Sequence, residues 1–203
     1  MFQARPVLGA IPKQRRPVFG HGINDADYHI HSIDAHGKRH VCPYYKVWAN
    51  MLERVFSAKV HERRPTYRTC TIDESWKVFS NFKRWMESQD WDGKALDKDI
   101  LNPGNKHYGP DTCVFISHAL NNLLTLRGNA RGPYPLGVSQ TSMRGFTYFV
   151  ASCSFYGKQR RLGYFKTVEE AATAYRNAKL GYIRDLAANE PNPRIRGSLL
   201  NMC

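Results

Sequence analysis

The sequence has no Cys-x-x-Cys pair, no long apolar run and no acidic residue between Arg127 and Lys166. Each absence removes a class of protein. The five cysteines (Cys42, Cys70, Cys113, Cys153 and Cys203) are scattered and odd in number. This argues against a zinc ribbon or a disulfide framework and fits a reducing cytoplasm. They read as small buried apolar residues. No segment reaches the roughly 18 apolar residues of a membrane helix, so no membrane is expected as a partner. The prolines and arginines of MFQARPVLGAIPKQRRPVFG interrupt any signal-peptide core, and a soluble cytoplasmic protein is expected.

What is present is positive charge. Thirty Lys and Arg against 17 Asp and Glu leave a net charge of +13 in 203 residues. A surplus of that size selects polyanionic partners, and nucleic acid first among them. The length allows one or two domains. A hydrophobic share of 42%, with 12% aromatic, suffices for a packed core.

Residues 1–22 carry Arg5, Lys13, Arg15 and Arg16 with no acid, and read as a basic flexible arm, either laid along DNA or a loose leader. In DYHIHSIDAHGKRHVCPYY, alternation on either side of a turn at Ala35–Lys38 predicts a hairpin. Its four histidines, His29, His31, His36 and His40, lack a zinc spacing and read as a polar face. Tyr44, Val47, Trp48, Met51, Leu52 and Val55 form a helical stripe after Pro43. Lys59, Arg63, Arg64 and Arg68 follow in a predicted loop suited to phosphate contacts. Asp73 predicts an N-cap for one helix from Glu74 to about Ser88, anchored by Trp76, Phe79 and Phe82.

The stretch LDKDILNPGNKHYGPDTCVFISHALNNLL, from Leu96 to Leu124, passes from an acid through a Gly/Asn/Pro loop and a short apolar run to paired asparagines. This layout resembles the ββα metal finger of HNH endonucleases. Together with Trp48, Met51 and Arg54 and with Trp76, Phe79 and Phe82, it is similar to small phage-encoded HNH-type proteins over roughly residues 44–125. The resemblance implies that Asp97 and Asn121 hold one divalent cation, Mg2+ or Mn2+, on hard oxygen ligands; no zinc is expected. Lys98 stands in place of the usual general-base histidine and Thr112 in place of the structural asparagine. His107 and His118 are the substitute bases.

After the turn-rich GNARGPYPLG, three strand-like runs are predicted at Leu136–Ser139, Phe146–Ser154 and Gln159–Phe165. Thr167 to Glu170 is a capping box, and the helix it opens carries Val168, Ala171, Ala172, Tyr175 and Ala178 on one face. GVS…YFVASCSFYGKQRRLGYFKTVEEAATAYRNAK resembles the DNA-binding domain of plant ethylene-response factors over about residues 136–180. The resemblance implies a three-stranded sheet that enters the major groove. Gln140, Arg144, Tyr148, Lys158, Arg160 and Arg161 are the residues expected on duplex DNA. The tail with Pro191, Pro193, Arg194 and Arg196 is either a short helix or a loose end.

The expectation is an α+β chain: an arm at 1–22, a helical and hairpin HNH-like domain at 23–127, and a sheet-and-helix DNA-binding domain at 128–203. The implied function is a metal-dependent DNA endonuclease of HNH or homing type, in the host cytoplasm if phage-encoded. The alternative is a catalytically degenerate, sequence-specific DNA-binding protein, such as a repressor or an inhibitor of a competing genetic element.

Overall fold

Asp34 folds the chain back on itself. Its Oδ1 accepts from the backbone N–H groups of His36 (2.9 Å) and Lys38 (3.0 Å). The flanking strands, β1 (His31–Ile33) and β2 (Arg39–Val41), pair antiparallel with Ser32 opposite His40. The computed structural model describes residues 1–7, 15–124, 133–155 and 157–203, which form an α+β protein with six α-helices and small sheets among those residues. Its contacts divide into two units, residues 1–115 and 116–203. That division lies ahead of the expected 127/128 boundary, and residues 125–132 of the turn-rich linker fall outside the described residues.

In the first unit, Pro43 opens helix α1 (Pro43–Phe56), which buries Trp48, Met51, Leu52 and Val55 as its stripe predicts. Residues 57–68, expected as a loop, are largely helical. Ser57 caps α2 (Ala58–Arg63) by accepting from Val60 N–H, and Pro65–Tyr67 make one 3₁₀ turn. Lys59, Arg63, Arg64 and Arg68 remain exposed along this edge. Next come β3 (Thr71–Ile72) and a 3₁₀ turn, Glu74–Lys77, capped by Asp73.

The single helix expected over 74–88 is broken at Val78, which is extended, and α3 runs only from Phe79 to Glu87. The reason is tertiary. Ile23 N–H donates to Lys77 O (2.8 Å) and Ile23 O accepts from Phe79 N–H (3.0 Å), taking groups that a continuous helix would use internally. Phe79, Phe82 and Met86 of α3 are fully buried with Trp48 and Trp76, and Trp48 Nε1 donates to Trp76 O at 2.7 Å. A buried indole N–H needs such a partner, so this bond fixes how α1 meets the turn before α3.

The described parts of the basic N-terminal segment are bonded to this unit rather than free. Val7 N–H donates to Asp27 O and His29 N–H to Arg5 O, while Arg15 Nη1 donates to Asn24. Lys13 lies outside the described residues. Gly22 lies directly on the core, where an added Cβ would meet Leu52 Cδ1 at 2.3 Å and Trp48 at 3.0 Å.

Next in the chain come β4 (Lys94–Asp97), β5 (His107–Tyr108) and β6 (Val114–Ser117), followed by α4 (His118–Leu124). β4 pairs with β6, whereas β5 turns aside to pair in parallel with β3.

In the second unit, β7 (Val138–Met143), β8 (Phe146–Phe155) and β9 (Lys158–Phe165) form an antiparallel sheet in that order. The predicted capping box is complete: Thr167 Oγ1 accepts from Glu170 N–H, and the Glu170 carboxylate accepts from Thr167 N–H. It opens α5 (Val168–Ala188), which buries Ala171, Ala172, Ile183 and Ala187. The tail is a helix, α6 (Pro193–Leu200), capped by Asn192 and burying Ile195 and Leu199.

Gly22→Ala is expected to destabilise the protein by about 1–3 kcal/mol, the usual cost of overpacking a filled core. Urea unfolding followed by tryptophan fluorescence measures it, and an unchanged midpoint would contradict this packing.

Candidate functional site

The stretch from Leu96 to Leu124 is organised by its polar side chains. Asp97, half-buried at the end of β4, uses one carboxylate oxygen, Oδ1, to accept from the backbone N–H groups of Asp99 (2.8 Å) and Ile100 (2.7 Å). That fixes the turn after the strand and leaves Oδ2 for another partner. Burial pushes the Asp97 carboxyl above the usual carboxylate range, although the bonds from Ile100 and Asp99 act the other way.

Lys98 points inward and is 5% exposed. Its Nζ donates to Asp99 Oδ1 (2.7 Å) and to the Asn105 carbonyl (2.6 Å). Both contacts use N–H donors of the ammonium, so this side chain is placed neither to take a proton from water nor to reach a phosphate. Asn105 returns the bond. Its Nδ2 donates to Lys98 O (2.8 Å) and His107 O (2.7 Å), and its Oδ1 accepts from His107 N–H (3.0 Å). The two residues close the loop between β4 and β5 from both ends. Thr112 adds to the closure, its hydroxyl donating to His107 O (2.9 Å).

The substitute bases stand differently. His107 is half-buried, with Nδ1 against Thr71 Oγ1 (2.9 Å), and a Cβ on Gly109 would lie 3.0 Å from its Nε2. His118 is exposed at the first position of α4, and Asn121 is half-buried one turn later. Leu120 N–H donates to Ser117 Oγ, which caps that helix. Asp97, Lys98 and His107 belong to the first unit, His118 and Asn121 to the second.

Among the described residues, no group of three or more His, Cys, Asp and Glu side chains gathers as a metal cluster. In the hairpin, His40 Nε2 is 2.7 Å from Asp34 Oδ2. A carboxylate oxygen such as Asp97 Oδ2 is the hard donor type that suits magnesium or manganese rather than zinc.

The sheet supplies the second feature. Cross-strand partners share a face and successive residues alternate. Phe155 stacks on Tyr182 of α5, with ring centroids 4.1 Å apart, so Ala151, Cys153 and Phe155 define the helix-bearing face. The open face then carries Tyr148, Val150, Ser152 and Ser154 of β8, with Ser139 and Thr141 opposite on β7 and Tyr164, Arg161 and Gln159 opposite on β9. A bulge sets this phase. Ala151 pairs with Gly163 and Ser152 with Arg161, so β9 holds one extra residue, Leu162. It brings Arg161 and Tyr164, three positions apart, to the same face, where the guanidinium lies 5.2 Å from the Tyr164 ring and donates to its hydroxyl.

No family model, curated protein or solved structure matches the chain. What it does has to follow from its own residues.

Of the six predicted reader residues, Tyr148 and Arg161 stand on the open face and Arg144 at the β7–β8 turn. Register puts Gln140, Lys158 and Arg160 on the helix-bearing side. Gln140 accepts there from the Tyr134 hydroxyl. Lys158 and Arg160 are nonetheless solvent-exposed toward the sheet edge. The open face also carries Ser139, Thr141, Met143, Phe146, Gln159 and Tyr164, which the sequence did not single out; the alternation of β8 points to the β7 partners. Nor did the sequence single out Asn105, whose only signal was a second asparagine in NPGN.

A carboxyl raised in the folded state gives stability that is fully present below its unfolded pKa and is lost as pH rises through the folded value. Asparagine at 97 keeps the oxygen acceptor without the charge. The Asp97→Asn protein is therefore expected to melt higher than wild type at neutral pH without divalent metal, the gap closing toward about pH 4. Thermal unfolding across that range tests it; a pH-independent difference would remove the burial argument.

Proposed function

We propose that the chain is a metal-dependent DNA endonuclease of the HNH type, directed to duplex DNA by the open face of its C-terminal sheet. The observation that carries the nuclease reading is Asp97: a half-buried carboxylate at a strand end, one oxygen fixed by backbone and its charge disfavoured by burial. A carboxylate in that state gains most when a cation joins it. The order strand β4, closed loop, strand β6, helix α4 supports the same reading.

A bound magnesium or manganese ion supplies charge stabilisation at the scissile phosphate and the leaving oxygen. Asp97 is the residue assigned to hold it, and Asn121 is given a ligand's part by the resemblance alone. His118, exposed and imidazole-bearing, is assigned to accept the proton of the attacking water; His107, engaged with Thr71, is the lesser candidate. Lys98 acts as a positioning residue that keeps the loop after Asp97 closed. Arg63 and Arg64 sit on an exposed basic edge suited to phosphates, and the sheet supplies Arg161, Tyr148 and Arg144 for the duplex.

One observation favours a second reading. Lys98 fills the general-base position with a buried, paired ammonium, which suits a DNA-binding protein whose finger persists as scaffold.

Supercoiled plasmid incubated at low salt with magnesium or manganese separates the two. The nuclease reading expects open-circle or linear product, abolished by Asp97→Asn. His118→Ala is expected to slow cleavage by about 100-fold while leaving DNA binding intact. Tight, salt-sensitive binding with no product would establish the second reading instead.

A further inference from the structure

The outer end of the sheet has a construction of its own. Met143 and Phe146 are the last cross-strand pair of β7 and β8, and only Arg144 and Gly145 connect them. Both connecting residues have positive φ, 52° and 81°, the backbone of a type I′ hairpin turn. Asparagine or glycine occupies the first position of such a turn with least strain, whereas a long cationic side chain in the left-handed region costs conformational energy. Next to it, two apolar side chains stand in water: Phe146 is 67% exposed and Met143 44%. They lie on the same open face as Tyr148, Tyr164 and Arg161.

We propose that this tip is a wedge that enters the base stack of duplex DNA, with Met143 and Phe146 between two base pairs and Arg144 on the flanking phosphates. The inference rests on the sheet being the DNA-binding surface and goes beyond it by naming a deformation of the duplex. Charge selects the occupant. No carboxylate occurs from Arg127 to Lys166, and the tip cation, Arg144, stands in the turn between the two apolar residues. A polyanion satisfies the arginine, and the base stack is the one apolar part of that polyanion. Phe and Met are side chains suited to unstacking a step and kinking the helix. Reach separates the wedge from the reading residues. Phe146 and Ser152, which sits opposite Arg161, are six residues apart on β8, or about 20 Å at strand rise, so they serve different base steps.

The test uses the full chain and a mixed-sequence duplex of about 30 base pairs, short enough against the persistence length for a smooth bend to be costly, carrying 2-aminopurine at pyrimidine–purine steps and a dye pair at its ends. Anisotropy reads binding, 2-aminopurine emission reads unstacking and energy transfer reads bending. Wild type is expected to bind, raise the emission at least about twofold and shorten the end-to-end distance. The Met143→Ser/Phe146→Ser double variant, altered only at exposed positions, should bind about tenfold more weakly and leave the duplex straight and stacked. Phe146→Leu should restore most of the unstacking. Wild-type binding with no rise in emission would overturn the wedge and leave the DNA-binding reading standing. No binding at all would overturn both. Loss of a wild-type dimer in the double-serine variant, seen by sedimentation, would assign the tip to a second copy of the chain and also overturn the wedge.

Discussion

The exchange between Lys98 and Asn105 is the constraint on which the candidate metal region depends. A buried ammonium satisfies a carbonyl and a carboxylate, and a side-chain amide satisfies two carbonyls and one N–H, within ten residues of chain. Buried polar groups are costly when unpaired, so a closed network of this kind holds one loop conformation and penalises others. Asp97 lies at the entrance to that loop and inherits its fixed geometry through the N–H groups of Asp99 and Ile100. The position given by resemblance to a proton acceptor is here part of the framework. A nuclease built this way must find its base elsewhere, which turns attention to the exposed His118.

Features encoded locally were legible. The stripe of α1, the hairpin around Asp34, the capping box at Thr167 and the three C-terminal strands all follow from spacing of a few residues. Features encoded by distant partners were not. Val78 is extended because Ile23, far away in sequence, takes the hydrogen bonds around it; nothing in ESWKVFSNF announces that. The face of each β9 residue turns on whether Leu162 is counted in the ladder. Adjacent arginines, Arg160 and Arg161, therefore could not be told apart from composition, yet only Arg161 shares the open face with Tyr164. Lys98 shows the same limit for a site: the resemblance gave only its place at the general-base position, while its burial depends on Asn105 and Tyr108. The pairing of Asp97 with Asn121 as ligands came from resemblance and not from spacing, so it is a proposal that no local pattern carries.

Under the proposed function the two units serve one partner by different means. In the first, exposed Lys59, Arg63, Arg64 and Arg68 offer sequence-independent attraction to phosphate. In the second, a sheet face with aromatic, hydroxyl and arginine side chains offers contacts that can discriminate bases. Four of the five cysteines contribute packing: Cys42, Cys70, Cys113 and Cys153 are buried as free thiols, and burial pushes the Cys113 thiol up to about 12, far from a reactive thiolate, whereas Cys203 is exposed, against the expectation of burial.

The central claim is that the half-buried carboxylate at the end of β4 is a cation ligand. Calorimetric titration of the full chain with magnesium, and then with manganese, beside Asp97→Asn tests it most directly. The account predicts saturable binding of one ion to wild type with a raised melting temperature, both lost in the variant. Equal binding by the two proteins, or none by either, would contradict it.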